Sequence, residues 1–174
     1  MKLVVITGMA AAGKNIAAQY AQVHQYPHFS TGDFVRAEIR KRGFNADPEI
    51  SAKISTELRG KDGLGVTRIA VDEALKQKAD VVFLEGIRSW PEIELIRSKA
   101  HCTLVAVVAP RNLRLNRVRQ RGREDDSVDH FAERDQREID YGVAVCIALA
   151  DAYVLNTGSI NDALRQLDEI INNL

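Results

Sequence analysis

Gly8-Met9-Ala10-Ala11-Ala12-Gly13-Lys14-Asn15 follows the apolar run Leu3–Ile6 and leads into a helical pattern over residues 14–25. The spacing is GxxxxGK, set between a strand and a helix. Glycines let such a turn curl until successive backbone N–H groups face inward on an anion. A helix starting near Lys14 aims the positive end of its dipole at the same point. The lysine adds a mobile full charge. Gly8, Met9, Ala10, Ala11, Ala12, Gly13, Lys14 and Asn15 are therefore expected to cradle the phosphates of a nucleoside triphosphate. The final position of this pattern normally holds Ser or Thr, whose hydroxyl ligates Mg²⁺. Asn15 stands there instead, and its amide oxygen is also a hard ligand. Taken alone, the stretch has a plainer alternative: a strand-to-helix turn with an exposed lysine.

Outward from this loop the chain alternates. Val81–Leu84, Thr103–Val108 and Ala152–Leu155 are continuous apolar runs, and Pro27–Ser30 is a shorter candidate strand. Continuous rather than alternating runs predict parallel strands covered on both faces. Helical patterns occupy 66–78, 111–121 and 128–149, the last broken at Gly142. Ser159 caps a final helix from Ile160 to about Asn172. The expected architecture is an α/β three-layer sandwich around a parallel five-stranded sheet. Residues 33–65 read as a polar helical excursion with breaks at Gly43, Gly60, Gly63 and Gly65. Residues 121–127 read as a short loop over the sheet's edge.

The 174 residues predict one domain. Lys+Arg and Asp+Glu number 24 each, so no overall basic excess points to a nucleic-acid partner. Any anion site must be local. Cys102 and Cys146 lack metal-ligand spacing and read as buried thiols of a reducing compartment. Leu3–Ala12 imitates a signal peptide only loosely, because Thr7 and Gly8 interrupt it and cleavage near Ala12 would cut into the phosphate loop. No run has the length of a membrane span. A cytoplasmic location is expected.

Four further segments carry chemistry. Ser30-Thr31-Gly32-Asp33-Phe34-Val35-Arg36 alone is a capped helix start with a cation one turn in. Leu84-Glu85-Gly86-Ile87-Arg88 closes the third run. Arg111, Arg114, Arg117, Arg119, Arg121 and Arg123 form a basic stretch, with Arg114, Arg117 and Arg121 on one helical face. Such stretches are commonly solvated faces, and no aromatic residues interleave for stacking on bases. Asn156-Thr157-Gly158-Ser159 follows the last run, as a plain turn or as part of a nucleotide site.

Taken in chain order, these segments resemble the adenylate kinases and related nucleoside-monophosphate kinases. The closest likeness is to an archaeal adenylate-kinase-related group, carried by Gly86-Ile87-Arg88-Ser89, by Arg121-Gly122-Arg123-Glu124-Asp125-Asp126 and by Ala148-Leu149-Ala150-Asp151. The resemblance implies a P-loop NTPase fold with an acceptor-binding insert at 33–65 and a short lid at 121–127. It implies that Thr31, Arg36 and Arg88 bind the acceptor, and that Arg117 and Gly158 bind the donor nucleotide with the phosphate loop. Asn15 and Glu85 would attend the metal. Lys14, Arg88, Arg121, Arg123 and Arg134 would stabilise the transferring phosphoryl group, where cations serve the spreading charge. Glu85 departs from the family's aspartate, and Ile87 replaces its aromatic-proline pair. Glu92 stands where adenylate kinases place a glutamine that reads adenine. A carboxylate only accepts hydrogen bonds, so Glu92 argues against simple AMP specificity; its alternative is a solvent-facing helix-start glutamate.

The implied activity is transfer of the γ-phosphate of ATP, with Mg²⁺, to a nucleoside monophosphate or similar small phosphorylated acceptor. Dephospho-coenzyme A is another acceptor for such a fold. A competing expectation is a nucleotide-binding sensor or partner protein with weak or no transferase activity, since Asn15 and Glu85 both depart from the pattern at the metal. Neither membrane nor nucleic acid is an expected partner.

Overall fold

The computed structural model describes residues 1–45, 47–121 and 130–174, with Pro48 and Arg121 described by backbone alone. The apolar runs become β1 (Lys2–Thr7), β2 (His28–Ser30), β3 (Val81–Glu85), β4 (Cys102–Val108) and β5 (Ala152–Leu155). All pair in parallel, in the order β2-β3-β1-β4-β5. Side chains alternate across a strand, and here both faces are covered. Val4, Ile6, Phe83, Val105, Val107 and Val154 pack under α1 (Asn15–Val23) and the C-terminal helix, through Ile16, Ala17, Tyr20, Ala163 and Leu167. Leu3, Val5, Val82, Leu84 and Leu104 face the opposite layer, where Ala70, Val71, Ile93, Ile96 and Cys146 meet them. Burial of each large aliphatic side chain contributes roughly 1.5–3 kcal/mol. This double coverage is why the runs are continuous.

The second layer contains α2 (Thr31–Lys41), α3 (Pro48–Arg59), α4 (Gly65–Leu75) and α5 (Trp90–Lys99). After β4 come α6 (Arg111–Arg121), α7 (Phe131–Asp140), α8 (Val143–Ala148) and, after β5, α9 (Ile160–Asn172). The helical pattern over 128–149 is thus two helices. Gly142 divides them at φ 100°, in the left-handed region. α5 is the helix that periodicity did not mark: its buried Ile93 and Ile96 sit among evenly spread charges. The expected lid, 121–127, lies outside the described residues except for the backbone of Arg121. Among the described residues no helix is long and apolar enough to cross a membrane.

This topology positions a site. β1 is central, with β3 on one side and β4 on the other; the chain leaves the carboxyl end of β1 toward β2 and that of the adjacent β4 toward β5, in opposite directions. Ligands of open parallel sheets bind in the crevice that forms at such a place.

Candidate active site

The chain leaves β1 through Gly8 and turns back at Gly13, where φ is 97°. A Cβ on Gly13 would collide with the Asn156 side-chain amide, so glycine is required there by approach as well as by conformation. Ala11 takes a left-handed φ of 59° without being glycine. That strain is held by contacts from behind. Arg114 Nη1 donates to Ala10 O at 3.0 Å. Arg117 Nη1 donates to Ala12 O at 3.0 Å and Ala11 O at 3.4 Å, while its Nη2 donates to Asn156 O at 2.8 Å. Asn156 Nδ2 donates to Ala12 O at 2.8 Å. The loop's carbonyls therefore point away from the cavity, and across each planar trans peptide the following N–H points the other way. That orients the Ala11 and Gly13 N–H groups for an anion. No side chain caps the start of α1; Ile16 N and Ala17 N donate to Gly13 O and Lys14 O, which leaves the Lys14 and Asn15 amides for the same ligand.

A cavity of about 470 Å³ opens in front of the loop. Gly8, Ala10, Ala11, Gly13, Lys14 and Asn15 form one wall, Thr31 and Arg36 a second, Glu85 to Arg88 a third, and Arg134 and Glu138 close it. The residues expected to serve donor phosphates, acceptor, metal and transferring group are thus brought to one space, with the exceptions given below. Thr31 Oγ1 donates to Gly86 O at 3.2 Å. Gly86, at φ 93°, has no room for a Cβ beside that hydroxyl. Arg36 pairs with Asp33 at 2.6 Å and remains half-exposed at the mouth. Arg88 Nε lies 3.5 Å from Glu138 Oε2.

Lys14 Nζ folds back onto the loop, donating to Gly8 O at 2.8 Å and Met9 O at 3.1 Å. Burial pushes its pKa below the ordinary 10.5; the nearby Glu138 and Glu85 carboxylates counter this, and Arg88 and Arg134 add to it. The site is cationic and dry enough to make an ammonium uncomfortable until an anion arrives. Glu85 sits beside an unusual neighbour. His28 Nε2 is 3.3 Å from Glu85 Oε2, yet that nitrogen is buried without a hydrogen bond. Asn15 and Glu85 line the same cavity and offer oxygen donors, a set that suits Mg²⁺ held through one or two protein ligands plus substrate phosphate.

Several expected site residues lie elsewhere. Arg117 grips the outer side of the loop rather than lining the cavity, so its resolved bonds support the loop's backbone. Gly158 is exposed in the turn before α9, next to the Ser159–Asp162 capping box, and does not line the cavity. Arg123 and the Arg121 side chain fall outside the described residues. Glu92 is not the solvent-facing residue of one expectation, and its carboxylate is engaged by the protein. It is 8% exposed. Its Oε2 accepts from Arg88 N, Ser89 N and Ser89 Oγ at 2.9–3.0 Å, and its Oε1 from Thr67 Oγ1 at 2.6 Å. It is a capping-box glutamate whose acceptors are filled by the protein. Glu92→Gln converts one acceptor to a donor and is expected to cost about 1–2 kcal/mol. Acceptor preference should stay unchanged; denaturant titration and a comparison of acceptors check both halves.

Two contributors were not singled out in the sequence. Glu138, which faces Arg88 in the cavity, lies one turn beyond Arg134 but reads as a surface charge. Asp135 binds Arg114 through both oxygens, at 2.6 and 2.8 Å, and so fixes the loop's support.

Residues 7–132 match the AAA domain family. The UPF0200 protein MJ1399 of Methanocaldococcus jannaschii is 40% identical, over the whole of this chain and 93% of the relative. The UPF0200 protein TK1334 of Thermococcus kodakarensis is 35% identical, over 99% of this chain and 100% of the relative. Among solved structures, TT1252 from Thermus thermophilus superposes with a TM-score of 0.65 at 21% identity, covering 99% of this chain and 97% of that one. Shikimate kinase from Bacteroides thetaiotaomicron does so at 0.62 and 16%, covering 98% of each. At these identities the structural likeness concerns the fold. Joined to the strand–loop–helix built on Gly8–Asn15, these matches place the chain in the UPF0200 family, as a protein with a P-loop kinase-like domain.

Proposed function

We propose that this chain is an ATP-dependent phosphotransferase acting on a small phosphorylated acceptor, a nucleoside monophosphate or a molecule like one. The observation that carries the reading is the single cavity in which the phosphate loop faces Thr31, Arg36, Arg88 and Arg134. Cations and a hydroxyl stand around the same cavity as the phosphate loop, which suits a second anion beside the donor's. The loop N–H groups and Lys14 would hold the donor phosphates. Arg88 and Arg134 would face the transferring group, where permanently charged forks are most effective. Mg²⁺, held by Asn15 and Glu85, would supply charge neutralisation between the donor phosphates. The adenylate-kinase-like order of the motifs supports a nucleotide-type donor.

The test is ADP release from Mg·ATP with each nucleoside monophosphate and with dephospho-coenzyme A, against a control without acceptor. Release that depends on one acceptor supports the reading. Release indifferent to every acceptor points to an ATPase and removes it.

A specific observation favours a second reading, a nucleotide sensor with weak transferase activity. Asn15 lies where a hydroxyl would ligate the metal, and Glu85 has His28 against its carboxylate. Asn15→Ser separates the two. If the metal site limits turnover, the substitution should raise kcat about tenfold or more, a barrier change near 1.4 kcal/mol, and lower the Mg²⁺ concentration needed for half-maximal rate. An unchanged rate and Mg²⁺ dependence would remove Asn15 as an argument for the sensor.

A further inference from the structure

The cavity continues past Thr31, Gly32 and Arg88 into a smaller chamber of about 90 Å³ between α2, α3 and α4. If the chain is the phosphotransferase proposed above, this chamber receives the end of the acceptor remote from the phosphate loop. Three observations define what it takes. The first is size. At about 90 Å³ beside a cavity of about 470 Å³, the chamber suits a compact end group. The second is Glu92 at the chamber's wall, whose carboxylate is consumed by Arg88, Ser89 and Thr67. Its oxygens are therefore not offered to the edge of a base.

The third is charge. Arg59, the last residue of α3, is half-buried and lines the chamber beside Val35, Ser55 and Val66. Among the described residues no carboxylate lies within ion-pair distance of it. Its guanidinium carbon stands 5.1 Å from the Tyr141 ring centroid, and that of Arg88 stands 5.8 Å from the same ring. One ring partly compensates two cations, at about 0.5–1 kcal/mol for exposed pairs. It does not neutralise either. Arg88 has Glu138 on its other side; among the described residues Arg59 has no such carboxylate. Arg59 and Arg88 both line the chamber, and two guanidinium groups at one small space suit an anion.

We propose that Arg59 and Arg88 hold a second anionic group of the acceptor. The acceptor is then a compact phosphorylated molecule with a carboxylate or second phosphate a few bonds from its phosphate. Val35 and Val66 fit the short carbon spacer between the two charges.

Three probes decide it, each titrated calorimetrically into the full chain with Mg²⁺ and a non-hydrolysable ATP analogue present. 2-Phosphoglycolate carries the second anion, glycerol 3-phosphate has similar size without it, and AMP has a base. 2-Phosphoglycolate is expected to bind at least tenfold tighter than either of the others. Arg59→Gln should abolish that advantage while leaving glycerol 3-phosphate and the ATP analogue unaffected, and Arg59→Lys should restore part of it. Equal affinities for 2-phosphoglycolate and glycerol 3-phosphate, tighter binding of AMP, or indifference to Arg59→Gln would each overturn the proposal while ATP-analogue binding stands. Wild-type protein that fails to bind the ATP analogue would take down the phosphotransferase reading and this proposal together.

Discussion

Lys14→Ala is expected to lower kcat by about 10²–10³-fold, the usual effect of removing one preorganised donor from developing negative charge, and to leave the unliganded protein as stable as before or slightly more so. The two signs come from one fact. In the free protein the ammonium is desolvated and donates to the Gly8 and Met9 carbonyls, with Glu138 and Glu85 offsetting part of the burial. Its folded pKa lies below its unfolded value of 10.5. The unfolded chain therefore keeps this proton through a range in which the folded chain has released it. Lys14's cost to stability is present in full below the folded pKa, and it fades as pH rises through that pKa toward 10.5. An alanine has no such cost, though it forfeits two hydrogen bonds. Triphosphate reverses the balance by supplying the missing negative charge. ATP binding in the alkaline range should therefore take up a proton, visible as a binding enthalpy that changes with the ionisation enthalpy of the buffer. In Lys14→Ala that buffer dependence should vanish and the thermal shift produced by ATP should shrink. A variant that loses activity because it unfolds, or that retains its buffer dependence, would show that Lys14 does something other than meet the phosphates.

How much of this was readable in advance follows from sequence separation. The phosphate loop is eight consecutive residues, and its chemistry is local: two glycines, one lysine, a strand before and a helix after. The five strands were legible because burial on both faces leaves no polar alternation to confuse them. The contacts that make the loop rigid were not legible. Asn156 reaches Ala12 across 144 residues, and Arg114 meets Asp135 across 21. In the sequence Arg114 is one of six arginines in a run, and nothing local separates it, buried, from the exposed Arg111 and Arg119. Glu92 shows the same limit from the other side. Its place after Arg88 suggested a ligand contact, but the serine that begins its own helix and the Thr67 hydroxyl 25 residues earlier consume it. Arg59 sits in a polar segment whose helical character was clear. Its place against Tyr141 depends on how that segment folds back over the sheet.

Asp135→Ala is expected to be the most destabilising single change at the loop's support, by about 3–5 kcal/mol. Arg114 is 5% exposed and Asp135 7%, so the carboxylate is the main compensation for a charge taken out of water. Alanine leaves the guanidinium with the Ala10 carbonyl and the edge of reach to the Phe131 ring, 5.2 Å from its centroid. Domains of this kind are stable by roughly 5–15 kcal/mol, so the loss is a large fraction of the total. Arg114→Leu combined with Asp135→Leu tells stability apart from function. An apolar pair of similar volume removes the desolvation cost along with the attraction, and such replacements are often neutral. Urea unfolding should find the double variant close to wild type. Its ATP affinity should still fall, because the Ala10 carbonyl has lost its donor and the left-handed Ala11 beside it has lost part of its restraint. The ion pair would then be retained for the shape of the phosphate loop and not for net stability. A loss below about 1 kcal/mol for Asp135→Ala, as at exposed pairs, would mean that water reaches the pair. Wild-type ATP affinity in the double variant would mean that Arg117 and Asn156 hold the loop without it.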